Sequence, residues 1–177
     1  MRSFRVATTV LGAILAIPAF AGITATAAPA PPVVGGCYGG HLTTTNVPGS
    51  GSGGMDVNVT GGLISCSSPQ LRRAHGGMLN VTYPFNVVTG SSSGTGAGGN
   101  PANGTVAWSN GTVSVITGNW VTSPVGQNAV SSFGIVRGPG AGHRFVIGTR
   151  QIANAGSVGG GSGGAGSVAV TSALFVW

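Results

Sequence analysis

Apolar and polar residues alternate with a period of two along most of this chain, in short runs separated by glycine-rich breaks. The clearest run is 104–121, GTVAWSNGTVSVITGNWV. At its centre Asn110-Gly111 offers two residues that tolerate positive φ, as a two-residue type I′ hairpin turn requires. Pairing outward from such a turn sets Ser109 opposite Thr112, Trp108 opposite Val113, Ala107 opposite Ser114 and Val106 opposite Val115. That register predicts Val106, Trp108, Val113 and Val115 on a core face, and Ala107, Ser109, Thr112 and Ser114 on a wet face. Trp120 shares the parity of Ser114 and is therefore expected to point outward, unless Gly118 introduces a bulge.

The same alternation recurs in 55–60, where Met55, Val57 and Val59 share a face, and in 78–88, where Leu79, Val81, Tyr83, Phe85 and Val87 form an apolar row. Pro84 cannot donate a ladder hydrogen bond, so that strand is expected to lie at an edge or to carry a bulge. With 38–46, 129–137, 143–152 and 167–177, the pattern predicts about eight antiparallel strands and no segment of helical period. The fold class is all-β, a single β-sandwich or small barrel with glycine-rich loops. Three low-complexity insertions, GSGSGG, GSSSGTGAGGNPANG and GSVGGGSGGAGS, fall between strands and are expected to be surface loops.

The start of the chain departs from this pattern. Arg2 and Arg5 precede an apolar run, and Ala25-Thr26-Ala27 forms an A-x-A cleavage site. Residues 1–27 thus read as an export signal, 28–36 as a proline- and glycine-rich lead-in and 37–177 as one β domain. An uncleaved membrane anchor is the competing reading, disfavoured by Pro18 and the small residues inside the run. Export places Cys37 and Cys66, the two cysteines of the chain, in an oxidising compartment. A Cys37–Cys66 disulfide is expected, worth roughly 3 kcal/mol through the unfolded state. Lipid attachment at Cys37, suggested by VVGGC, would leave Cys66 orphaned.

Composition narrows the chemistry. Beyond the leader there are five arginines (72, 73, 137, 144 and 150), no lysine and one acid, Asp56, which gives +4 with histidines neutral. A single acid rules out general acid–base work by paired carboxylates. A Ser-His-Asp site drawn from His41, His75 or His143 needs a buried carboxylate, whereas the alternation puts Asp56 on a polar face, and no nucleophile elbow is present. The histidines are too far apart in sequence to suggest a metal site, and no cofactor is indicated. Catalysis is not expected; a secreted hydrolase is the remote alternative.

Binding is better supplied. LRRAHGG brings together Arg72, Arg73 and His75, and RGPGAGHR brings Arg137, His143 and Arg144 around a glycine-rich turn whose N–H groups can face an anion. Such loops suit an anionic cell-wall polymer, a glycan or acidic lipid headgroups. Specific nucleic-acid binding is not expected, because lysine clusters and an aromatic stacking motif are both lacking. Of the three tryptophans, Trp108 reads as core and Trp120 as the ligand-contact candidate. The closing SALFVW and the Thr- and Asn-rich faces also admit a pore-forming membrane barrel as an alternative, although membrane insertion is not favoured. N-x-T triplets at Asn58, Asn80, Asn103 and Asn110 matter only in a host that glycosylates its exports.

The Ala-rich leader, GGCYGG, GGLISC, the GTVAWSNGTVSVITG hairpin and SFGIVRGPGAGHRF together resemble small secreted all-β proteins of high-GC actinobacteria. The resemblance implies a secreted β domain and carries over no catalytic residue. The sequence thus points to a secreted, non-catalytic binding or cell-envelope-associated β protein.

Overall fold

The computed structural model describes residues 32–49, 54–84, 99–154 and 166–177. Its strands are β1 (Val33–Cys37), β2 (Gly40–Pro48), β3 (Met55–Leu63), β4 (Cys66–Ser67), β5 (Gly77–Pro84), β6 (Asn100–Trp108), β7 (Val113–Trp120), β8 (Asn128–Arg137), β9 (Arg144–Asn154) and β10 (Gly166–Val176), with one 3-10 turn at Pro69–Leu71. Strands β2, β3, β5, β6, β7, β8, β9 and β10 pair in succession, all antiparallel. Pairing of β10 back to β2 closes them into a barrel, so no edge of the eight-stranded sheet is left open.

Closure fixes which face of each strand is core. Leu42, Val57, Val59, Leu79, Val81 and Tyr83 fill one half of the bore, and Val106, Trp108, Ile116, Phe133, Phe145 and Phe175 the other, all buried. Trp108 on β6 meets Phe145 of β9 edge-on at 6.2 Å and Phe175 of β10 at 5.8 Å, so side chains from opposite walls touch across the bore. An eight-stranded barrel is just wide enough for side chains to fill it, and this one is filled.

The outer wall is polar at mid-height. Thr45, Asn58, Thr82, Asn103 and Thr117 stand in one row across β2, β3, β5, β6 and β7. Asn58 donates to Asn80 (2.7 Å) and Thr82 (3.2 Å), and Thr117 donates to Asn103 (2.7 Å). The inward row of β5 is as expected as far as Tyr83; Phe85 and Val87 lie outside the described residues. Pro84 ends β5 opposite Asp56, beyond the last pairing of β5 with β6, so its missing N–H breaks no bond there.

The β6–β7 hairpin forms where expected but in a different register. Trp108 N donates to the Thr112 carbonyl (2.8 Å) and Gly111 N to the Trp108 carbonyl (2.9 Å), so the loop has three residues, with Gly111 alone at positive φ (83°). This is the type I turn closed by a left-handed glycine. One extra loop residue sets Ala107 opposite Val113 and Val106 opposite Ser114, which moves every β7 side chain to the other face. Val113 is 47% exposed, whereas Ser114 and Trp120 are buried. The cause is visible in the side chains. Asn110 accepts from Thr112 N and Oγ1 and donates to the Leu71 carbonyl, and buried Ser114 accepts the Trp108 indole N–H (2.8 Å) while donating to the Pro139 carbonyl (2.8 Å).

Of three further differences, the first two concern segments read as irregular and the third a segment read as a plain strand. The lead-in supplies β1, which continues β2 in the same register along β10. The tail of the second insertion, NPANG, is the start of β6. In β10 a bulge at Thr171 switches the inward residues from Val168 and Val170 to Ala173 and Phe175. Cys37 and Cys66 face each other across β1 and β4 and are joined by a disulfide.

Candidate functional site

Strand directions sort the connections onto two ends. At the upper end lie the β3–β5 connection with β4 and the 3-10 turn, the β6–β7 hairpin, the β8–β9 loop, β1 and Trp177. The lower end takes the strand ends joined by the β2–β3, β5–β6, β7–β8 and β9–β10 connections, so the three low-complexity insertions, which lie largely outside the described residues, start and finish there. The two arginine loops, separated by more than sixty residues of sequence, therefore belong to the same end of the barrel.

The β3–β5 connection places Arg72 and Arg73. Ser68 caps the turn, its hydroxyl accepting from Gln70 N (3.2 Å) and donating to the Val34 carbonyl (2.9 Å). Leu71 and Ala74, 1% and 3% exposed, insert into the core from above, and the chain between them must reverse within two residues. Arg72 and Arg73 make that reversal with φ of 35° and 73°, both left-handed and both exposed. Left-handed backbone costs a non-glycine residue about 1–2 kcal/mol. The hairpin tip holds the loop in place: Asn110 donates to the Leu71 and Arg72 carbonyls, Ser109 Oγ accepts from His75 N, and Ser109 N donates to the Gly76 carbonyl. His75 itself is exposed.

Around the β8–β9 loop, Arg137 and Arg144 are exposed, and Arg144 donates to Ser132 Oγ (2.7 Å). His143 is not presented to a ligand as expected. It is 8% exposed, its ring lies 4.1 Å from that of Trp177, and neither ring nitrogen has a partner among the described residues. Trp120 is likewise overturned as a contact residue. At 2% exposure it packs on Phe133 inside the lower half of the bore, because the hairpin register turns its face inward; Gly118 carries no bulge.

The exposed tryptophan is Trp177, at 65%. Toward the same end, Tyr38, Ile64, Met78, Val113 and Val136 are also 47–61% exposed. Alternation signals Met78 alone, by its parity opposite Leu79 and Val81; Tyr38 and Ile64 sit beside a strand break, and Val113 looks like core until the loop length is known. Asp56 stands on the outer wall near the lower end, opposite Val47 and Pro84, remote in the topology from His75 and His143. Among the described residues no cluster of His, Cys, Asp and Glu is arranged to hold a metal. No family model matches this chain, and no curated protein or solved structure matches it.

Proposed function

We propose that this chain is an exported, non-catalytic protein that attaches to an anionic component of the cell envelope through the upper end of its barrel. The observation that carries this reading is the division of charge. Arg72, Arg73, Arg137 and Arg144 belong to one end, while Arg150 and the sole acid, Asp56, lie toward the other. A cationic end with no acid nearby attracts anions over roughly a Debye length, about 8 Å at physiological salt. Export is supported by the leader and by the Cys37–Cys66 disulfide, which oxidising compartments preserve. The absence of catalysis fits an Asp56 that is set apart from the histidines.

The pore reading is less well supported. A lipid-spanning barrel turns apolar residues outward and polar ones inward. Here the bore is apolar and the mid-height wall carries Thr and Asn.

Co-sedimentation with isolated cell envelopes tests the proposal. The protein is expected to pellet at low salt, and Arg72→Gln/Arg73→Gln/Arg137→Gln/Arg144→Gln to remain in the supernatant, with Arg150→Gln behaving as the parent. Equal pelleting of the quadruple variant, or none by the parent, would overturn it.

A further inference from the structure

Charge is not all that distinguishes the upper end. Over β2–β7 the outer wall changes character in register-defined rows, which climb toward the upper end from strand to strand, the row of Thr117 continuing to Gly134 and Arg144. The row through Thr45, Asn58, Thr82, Asn103 and Thr117 is wholly polar, and so are the first four members of the next row up, Thr43, Thr60, Asn80 and Thr105. One row higher, exposed His41 on β2 is followed by Gly62, Met78, Ala107 and Val113 on β3, β5, β6 and β7. Ile64 lies above Gly62 against Gly39, and Val136 and Trp177 carry the apolar surface round to the β8–β10 side. Arg72, Arg73 and Arg137 are exposed beside this band, and Arg144, at the top of β9, lies along the wall with its guanidinium on Ser132 Oγ.

Val125, Val130 and Ile152 are exposed toward the lower end as well, but among the described residues such side chains adjoin several arginines at the upper end alone. A contiguous exposed apolar surface is uncommon on a protein that meets only water. A glycan or a charged polymer is met by hydrogen bonds and charge, and would gain little from Ile64, Met78, Val113 and Val136. A lipid surface would gain from all of them. Aliphatic side chains enter the acyl boundary, tryptophan and tyrosine settle at headgroup level, and arginine reaches lipid phosphate while its stem stays apolar. We infer that the upper end is a membrane-docking surface that seats the barrel upright on an anionic bilayer, with the apolar band in the headgroup region and the Thr/Asn rows in water. This rests on the attachment proposed above and names its partner as an anionic lipid surface. The positive charge selects anionic over zwitterionic lipid, and the filled bore leaves no conducting path, so the barrel lies on the bilayer without crossing it.

The protein supplies its own probe, since Trp108 and Trp120 are 4% and 2% exposed whereas Trp177 is 65% exposed. The disulfide-bonded protein would be mixed with vesicles of phosphatidylcholine alone or with a third phosphatidylglycerol, with and without brominated acyl chains and a trapped dye. The expected result is a blue shift and bromine quenching of tryptophan emission with the anionic vesicles only, lost in Trp177→Ser, with no dye release. Arg72→Gln/Arg73→Gln should lower partitioning roughly 25-fold, taking about fivefold for each arginine near an anionic surface. Met78→Ser/Val113→Ser should weaken binding without altering the preference for anionic lipid, and Ile152→Ser, toward the lower end, should leave it unchanged. Near-UV circular dichroism checks that each variant is folded. Equal binding to both lipids, an unshifted Trp177 or dye release would overturn the inference. Envelopes that still pellet the protein when vesicles do not would keep the attachment reading and make a charged polymer its partner.

Discussion

Arg73 exposes a conflict between stability and attachment at a single residue. Its φ of 73° suits glycine and costs arginine about 1–2 kcal/mol, yet the position projects a charge from the upper end. Arg73→Gly should therefore raise stability in urea by up to about 1 kcal/mol, the gain being trimmed by the freer unfolded chain. It should at the same time weaken envelope pelleting, and a variant that lost both properties would mean that the strain serves folding. Tyr83 behaves in the opposite way, contributing to stability alone. Burial in the bore pushes its hydroxyl up from 10.0 to about 12. Below pH 10 neither the folded nor the unfolded tyrosine is ionised, and the contribution is fully present. Between pH 10 and 12 the unfolded chain gives up the proton while the folded one keeps it, so stability falls as pH rises, by about 2–3 kcal/mol at most. Urea titrations at pH 9 and pH 11.5 should show this loss, and Tyr83→Phe should remove most of it.

At the scale of elements, what the sequence makes legible is alternation, and what it conceals is anything one residue long. Val57, Val59, Leu79, Val81 and Tyr83 are inward as their period predicts, and eight alternating runs became the eight barrel strands. The hairpin register was lost because Asn-Gly serves both a two-residue loop and the last two positions of a three-residue loop. The choice is made by Asn110 reaching the Leu71 carbonyl, a contact between distant segments, and by Trp108 needing an acceptor in Ser114 within the hairpin. Trp120 and Val113 exchanged places in consequence. The Thr171 bulge in β10 is hidden in the same way, since Val170, Ala173 and Phe175 look like broken alternation until one residue is set aside. β1 was concealed by its glycines: Gly36 lies so close to the Ala173 carbonyl that no side chain fits, and composition alone reads such a segment as a linker. The arginines of the candidate site were visible individually, but their convergence on one end depends on which way each strand runs. The apolar band that accompanies them was not visible, because outward Val113 read as core and Tyr38 and Ile64 sit beside a strand break.

The described residues form a barrel with two unlike ends, and this division has a consequence for the long connections. If attachment belongs to the upper end, the low-complexity insertions of the lower end are neutral to it, and the barrel should tolerate their removal. The β9–β10 connection is the favourable case, because Asn154 and Gly166 pair directly and the strands on either side are already in register. A hairpin needs only two to five residues to join strands so placed. Replacing the eleven residues 155–165 by Gly-Asn-Gly-Ser shortens the loop nearly threefold. On the logarithmic dependence of closure entropy this should stabilise the fold by about 0.9 kcal/mol, too little to alter its architecture. The shortened protein should unfold in urea with an unchanged m-value and a slightly higher midpoint, and its partitioning onto anionic vesicles should match that of the parent. Weaker binding with stability intact would place part of the attachment surface at the lower end, and the upright orientation would have to be reversed.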